Sequence, residues 1–359
     1  MSAPSTPGAP QGATAPARTR PGRQARGRGR GRARGQARLA LLGGLVLAAI
    51  AVALMAGPAW TPPGTVLRVL AGHDIPGASF AVRELRLPRA LVAALAGGCF
   101  GLGGAAFQMM LRNPLASPDI IGITAGAGAG AVMAIVMLSL SGGAVSAVAI
   151  LAGLGVAGAI HLLAWRDGLT GARLILVGIG ISAMVQSLTA WMLTQAPDWS
   201  LQEAMRWLAG SVNGATLAQL PPLAAAALGF GGLLLAQGRA LQVLRLGDEA
   251  AAGLGVAPAR LRAVTGLAAV GLIACATAAT GPIAFVAFMA GPVAARITGT
   301  GGALLPGAAL VGALLVLLGD HAGQFLLPGR YPVGVVTGAL GAPWLLYLVA
   351  RVNGARIGA

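Results

Sequence analysis

Few side chains in this 359-residue sequence could do chemistry, and those few stand apart from one another. The polar groups inside its apolar runs are Gln108, Gln186, His161 and the adjacent Asp320 and His321. Polar groups at membrane depth usually mark an ion or proton path, but these form no chain of carboxylates of the kind a proton-coupled carrier needs. His161 and Asp167 flank the end of one run and are assigned to the interface, and Asp320 and His321 are expected to make a structural hydrogen bond in the outer half of theirs. An HExxH metal site, a GxSxG nucleophile and a paired-carboxylate site are absent. Ser182 and Ser187 have no histidine in their own run to serve as a base, which argues against an intramembrane hydrolase. The sequence has no lysine, so a Walker A phosphate loop and Schiff-base catalysis are both excluded. Cys99 and Cys275, far apart in apolar runs, read as buried packing rather than a disulfide framework or a metal knuckle.

The elements that must carry these residues are membrane spans. Hydrophobic residues make up 56% of the chain and charged ones 9%, against about 25% charged in a soluble domain. Residues 1–38 hold nine arginines, from Arg18 to Arg38, and no acid. With almost no large apolar side chain, this tail is expected to be disordered. Its arginines are read as holding that end in the cytoplasm rather than as a nucleic-acid patch. Residues 39–359 are read as one membrane domain. Ten apolar stretches long enough for about 30 Å of hydrocarbon fall at 39–57, 88–111, 120–140, 144–164, 173–195, 218–237, 262–280, 282–297, 303–326 and 333–350. An even count puts both termini on one side. Nineteen arginines then lie inside and six outside, namely Arg68, Arg83, Arg86, Arg89, Arg206 and Arg330. That bias places both termini in the cytoplasm. Glycines recur at four-residue spacing, as in Gly122, Gly126 and Gly130, Gly97 and Gly101, and Gly334 and Gly338. Such ridges let helices meet backbone to backbone, so the fold expected is an all-α, compact bundle of about ten transmembrane helices.

One inner loop, Arg245 to Arg262, has its own signals. Asp248 reads as an N-cap, Glu249 complements the first-turn dipole, and Gly253 and Gly255 can close a helix in left-handed conformation. Pro258 can open a second helix. Two short helices of this kind are marginal alone, so the bundle or a docked partner must hold them.

Several segments in register resemble the FecCD family, the permease subunits of iron-siderophore and cobalamin ABC importers. They are Arg86-Leu-Pro-Arg89, then Gln108 with Leu111-Arg-Asn-Pro-Leu-Ala116, Pro118 and Gly122, then Leu246-Gly-Asp-Glu-Ala250 with Gly253-Leu-Gly255. Gly281-Pro-Ile-Ala-Phe-Val286 with Ala295-Arg-Ile-Thr298, and Tyr331-Pro-Val-Gly-Val-Val-Thr337 with Gly341-Ala-Pro343, complete the set. The resemblance covers residues 39 to 352 and implies a ten-span permease with type II ABC importer architecture. It pairs with a second copy or a paralogue, is driven by two cytoplasmic ATPase subunits, and is fed by an extracytoplasmic solute-binding protein. It also assigns Gly247, Asp248, Glu249, Gly253, Leu254 and Gly255 to coupling helices that enter the ATPase. Arg86, Arg89 and Arg330 would meet acids on the binding protein, and Ser182, Gln186 and Thr189 would line the pathway. The Arg112-Asn113-Pro114 turn would shape the inner mouth. This sequence departs from the family at Gly291-Pro292, where many relatives have Pro-His or Pro-Gln, and at Arg330-Tyr331, where a Glu is frequent.

The function expected is the cytoplasmic-membrane permease of an ATP-driven importer of ferric siderophore, with haem or cobalamin as less favoured cargo. The chain itself is expected to be no enzyme and to bind no cofactor or metal, ATP and Mg lying on the partner ATPase. An ion-coupled secondary transporter is the rival, distinguished by whether the chain alone moves substrate on an ion gradient.

Overall fold

A computed structural model describes residues 21–117, 122–164 and 171–357, and among them every regular element is helical. Pro118, Arg166, Asp167 and the tail arginines Arg18 and Arg20 lie outside the described residues. In chain order the helices are α1 (Pro21–Met55), α2 (Pro63–Leu70), α3 (Leu87–Leu111), α4 (Ile123–Val132), α5 (Gly143–Ala164) and α6 (Gly171–Thr194). There follow α7 (Asp198–Leu208), α8 (Leu220–Ala226), α9 (Gly232–Ala236), α10 (Gly238–Leu244) and α11 (Asp248–Gly253). Four more close the chain: α12 (Pro258–Thr280), α13 (Val286–Thr298), α14 (Leu304–Phe325) and α15 (Val333–Ile357). The first helix starts at Pro21, within the segment whose composition predicts disorder to residue 38. Arginine is a good helix former, and extending a helix already nucleated by its apolar half needs no new nucleus.

Each of the ten apolar stretches contains helix among the described residues. Seven segments are long and apolar enough to span, and three, Ile123–Met137, Val286–Thr298 and Val333–Tyr347, are apolar but shorter. The 13-residue α13 rises only about 20 Å. The remaining depth is taken by the turn Gly281 to Phe285, in which Phe285 is left-handed (φ 62°) and Ile283 is buried. Irregular backbone at such depth is tolerated only where protein covers it.

The burial pattern separates an inner trio from a periphery. About 78% of the span ending in α3 is buried, 67% of α12 and 61% of α14, against 17% for α1 and 11% for α6. Within and beside this trio, α3 owes its closeness to α14 and to α13 to missing side chains. A Cβ on Gly97 would lie 2.9 Å from the Ala313 Cα, one on Gly101 would strike the Ala308 carbonyl, and one on Gly104 the Ala287 carbonyl. Gly312 returns the contact from α14 onto Gly97 and Gly101. Lipid supplies no hydrophobic force between helices, so this backbone contact is what holds the centre. Buried apolar side chains such as Phe107, Leu272 and Ile273 fill the space around it.

Candidate functional site

At one end of the bundle, α10, α11 and the start of α12 form a knob. Gly247 at φ 114° and Gly255 at φ 82° bracket α11, conformations that cost a side-chain-bearing residue heavily. The expected cap is built differently. Gly247 takes the position before the helix, Asp248 is its first residue and makes no capping bond, and Gly253 ends the helix without positive φ, leaving that turn to Gly255. The Asp248 carboxylate instead accepts two hydrogen bonds of 2.7 Å from Arg262 and lies 3.2 Å from Arg112. A bidentate, charge-assisted pair outcompetes a single backbone N–H. Hydrogen bonding from Arg262, with the nearby charges of Arg262 and Arg112, outweighs partial burial and holds this carboxyl below its ordinary range. Pro258 does open a helix, but that helix is the long α12 rather than a second short one. Leu246 and Leu254 stand out at 68% and 65% exposure with Glu249 also exposed, and space around Gly253 is open. The knob is therefore a rigid, half-apolar protrusion pinned to the ends of α3 and α12.

Beside it lies a pocket of about 330 Å³ lined by Gln108, Arg112, Asn113, Arg245, Pro292 and Thr300 among others. Its floor explains the Gly291-Pro292 departure. Pro292 has no N–H, which frees the Phe288 carbonyl four residues earlier. The Gln108 amide donates to that carbonyl at 3.0 Å, and a Cβ on Gly291 would overlap the Gln108 Oε1.

At the other end of α3 the arginines turn into the chain. Arg86 donates to the Leu54 and Met55 carbonyls at 2.9 and 3.1 Å, to Thr61 Oγ1 at 2.9 Å and to the Ala59 carbonyl at 3.1 Å. It thus satisfies the open end of α1. Arg83 does the same for α2 through the Val69 carbonyl, 2.6 Å away. Arg89 grips Asp320 with two bonds of 2.8 Å and Asn213 with one of 2.9 Å, and Gln324 adds a bond of 2.7 Å to Asp320. Of the three arginines assigned to docking, Arg330 alone is exposed and makes no ion pair among the described residues. The hydrogen bond expected of Asp320 is an ion pair, while His321 packs against Phe325 with ring centres 5.0 Å apart.

The residues assigned to the pathway are also divided. Gln186 is exposed on α6, the Thr189 hydroxyl donates to the Val185 carbonyl at 2.8 Å, and the Ser182 Oγ is buried with no partner, facing the turn at Gly122. Sequence reasoning overlooked Arg262, Asn213 and Gln324, and also an outer cavity of about 640 Å³ lined by Ser146, Glu203, Arg206, Asn213, Gln219 and Cys275 among others. One signal was legible: the lone Asp320 and the lone Arg89 sit in apolar runs, and a buried charge requires a partner.

Residues 45–351 match the model of the FecCD transport family. FepG, the ferric enterobactin transport system permease protein of Escherichia coli (strain K12), is 39% identical over 302 residues, covering 83% of this chain and 91% of its own. CbrC, the achromobactin transport system permease protein of Dickeya dadantii (strain 3937), is 39% identical over 317 residues, 87% of this chain and 90% of its own. A solved structure described as an inward-facing conformation of a metal-chelate type ABC transporter superposes with a TM-score of 0.78 at 27% identity, over 87% of this chain and 98% of that one.

Proposed function

The chain belongs to the FecCD transport family as a multi-pass membrane permease subunit of an ABC importer, and from that premise we propose that it carries ferric siderophore inward. ATPase and binding-protein partners come with the family. Two ATPase subunits engage the knob from the cytoplasm, a second copy or a paralogue completes the pathway, and both termini lie on the ATPase side. Nucleotide and Mg belong to the ATPases, since a chain without lysine cannot build their phosphate loop.

The observation that carries this reading is the knob. Exposed Leu246 and Leu254 on a short, charge-pinned helix suit insertion into a groove on another protein. On the outer face Arg330 is the charge presented to the binding protein, while Arg86 and Arg89 fix the turns around it. Gln186 faces the pathway from α6, with Thr189 one turn away and Ser182 behind it.

Gly253→Arg tests the knob. A Cβ there has no described atom within 4 Å, so membrane insertion and folding are expected to remain normal while ATPase association and uptake are lost. Normal association and uptake in this variant would remove the assignment. Orientation is tested by adding trypsin to sealed vesicles: the tail arginines should be cut in inside-out and spared in right-side-out preparations.

A further inference from the structure

The family match begins at residue 45, so nothing in it accounts for the arginine-rich start of α1. Arg23, Arg26, Arg28, Arg30, Arg32, Arg34 and Arg38 all lie within this one helix, and no acid stands among residues 1–38. Arg26, Arg30, Arg34 and Arg38 recur every four residues, which stacks like charges on one face and is unfavourable for a helix standing alone. Among the described residues no ion pair reaches Arg34 or Arg38. Gly35 meets Ala303 in the neutral turn Gly299-Thr300-Gly301-Gly302-Ala303, and Asp248 is engaged by Arg262 and Arg112. Arg34 and Arg38 are exposed. Anions from outside the chain would relieve the repulsion along this face.

Covalent geometry says which anions are in reach. The apolar run begins at Leu39 and continues to Met55. At about 1.5 Å per residue, Arg38 stands at the hydrocarbon boundary, Arg34 about 6 Å beyond it, Arg32 about 9 Å and Arg30 about 12 Å. The headgroup layer is roughly 5–8 Å thick on each side, and the surface potential extends about one Debye length, 8–10 Å, further. We propose that the basic start of α1 is a binding surface for anionic phospholipid headgroups of the leaflet at its own end of the membrane, with Arg30, Arg32, Arg34 and Arg38 as the contacting residues. It anchors α1, which is little buried in the bundle and meets it chiefly along α14, to the lipid around the importer. The proposal rests on reading the chain as a membrane permease but not on which side the tail faces.

The test uses the full chain in nanodiscs, which expose both membrane faces. Backbone amide hydrogen exchange of residues 26–38 is compared in phosphatidylcholine alone and with about a third phosphatidylglycerol. The result expected is exchange about tenfold slower with the anionic lipid, reverting at roughly 0.5 M salt, where the Debye length falls to a few ångströms. Amides of the knob, residues 246–256, serve as the reference and should not change. The quadruple variant Arg30→Gln, Arg32→Gln, Arg34→Gln, Arg38→Gln should exchange equally in both lipids, whereas Arg23→Gln with Arg26→Gln should keep most of the effect. Equal exchange of the native helix in both lipids overturns the proposal. So does protection that appears only on adding RNA or the ATPase subunit in phosphatidylcholine, since the partner would then be that macromolecule. Failure of the permease reading would show separately, as uptake unaffected by Gly253→Arg.

Discussion

Single residues settle several local questions, and Gln108 is the clearest. Its amide serves the Phe288 carbonyl that Pro292 leaves open, and Gly291 makes the room. Gln108→Ala should cost about 1–3 kcal/mol by orphaning that carbonyl, and Gly291→Ala should destabilise by displacing the amide; thermal unfolding in detergent reads both. Asp320→Ala should cost about 3 kcal/mol by stranding the Arg89 charge, and the double variant with Arg89→Ala should lose less than the sum of the two single losses. Asp248 carries a pH expectation. Its pKa is depressed in the folded chain, so its stabilisation is complete above the unfolded value of about 3.9 and is lost as pH falls through the lower folded value. ATPase association should thus be indifferent to this group between about pH 5 and 8, while Asp248→Asn should weaken it throughout that range. A fall in association of the native chain on going from pH 8 to pH 5 that is absent in Asp248→Asn would contradict this.

At the scale of elements, glycine placement separates contact from decoration. Gly104→Val drives a side chain into the Ala287 backbone and should prevent folding, whereas Gly43→Val, with nothing near it, should be neutral; detergent-resistant folded yield distinguishes them. The sequence made the helices readable because long apolar runs bounded by Pro, Arg and Asn leave few alternatives in a bilayer. It also indicated that four-spaced glycines mark crossings, and Gly97 and Gly101 are such a pair. It did not disclose which helix each ridge meets, since α3 and α14 are about two hundred residues apart. The same distance hid the partners of Arg89. The capping reading of Asp248 followed local rules and was overruled by Arg262, fourteen residues away and one helix on.

For the whole molecule, Arg83, Arg86 and Arg89 are committed inside the chain, so of the arginines assigned to docking Arg330 is the exposed one. Arg330→Glu should slow docking, more at low salt than at high, whereas Arg86→Glu should first lower folded yield by unseating the end of α1. Measuring association rate against ionic strength separates the two. The central helix α3 is clasped at both ends, by Asp320 and Asn213 at one and by Asp248 through Arg112 at the other. Its 25 residues make a strut of about 37 Å. A rod gripped at both ends transmits torque: a twist applied at the Arg112 end arrives, with little slack, at the Arg89 end.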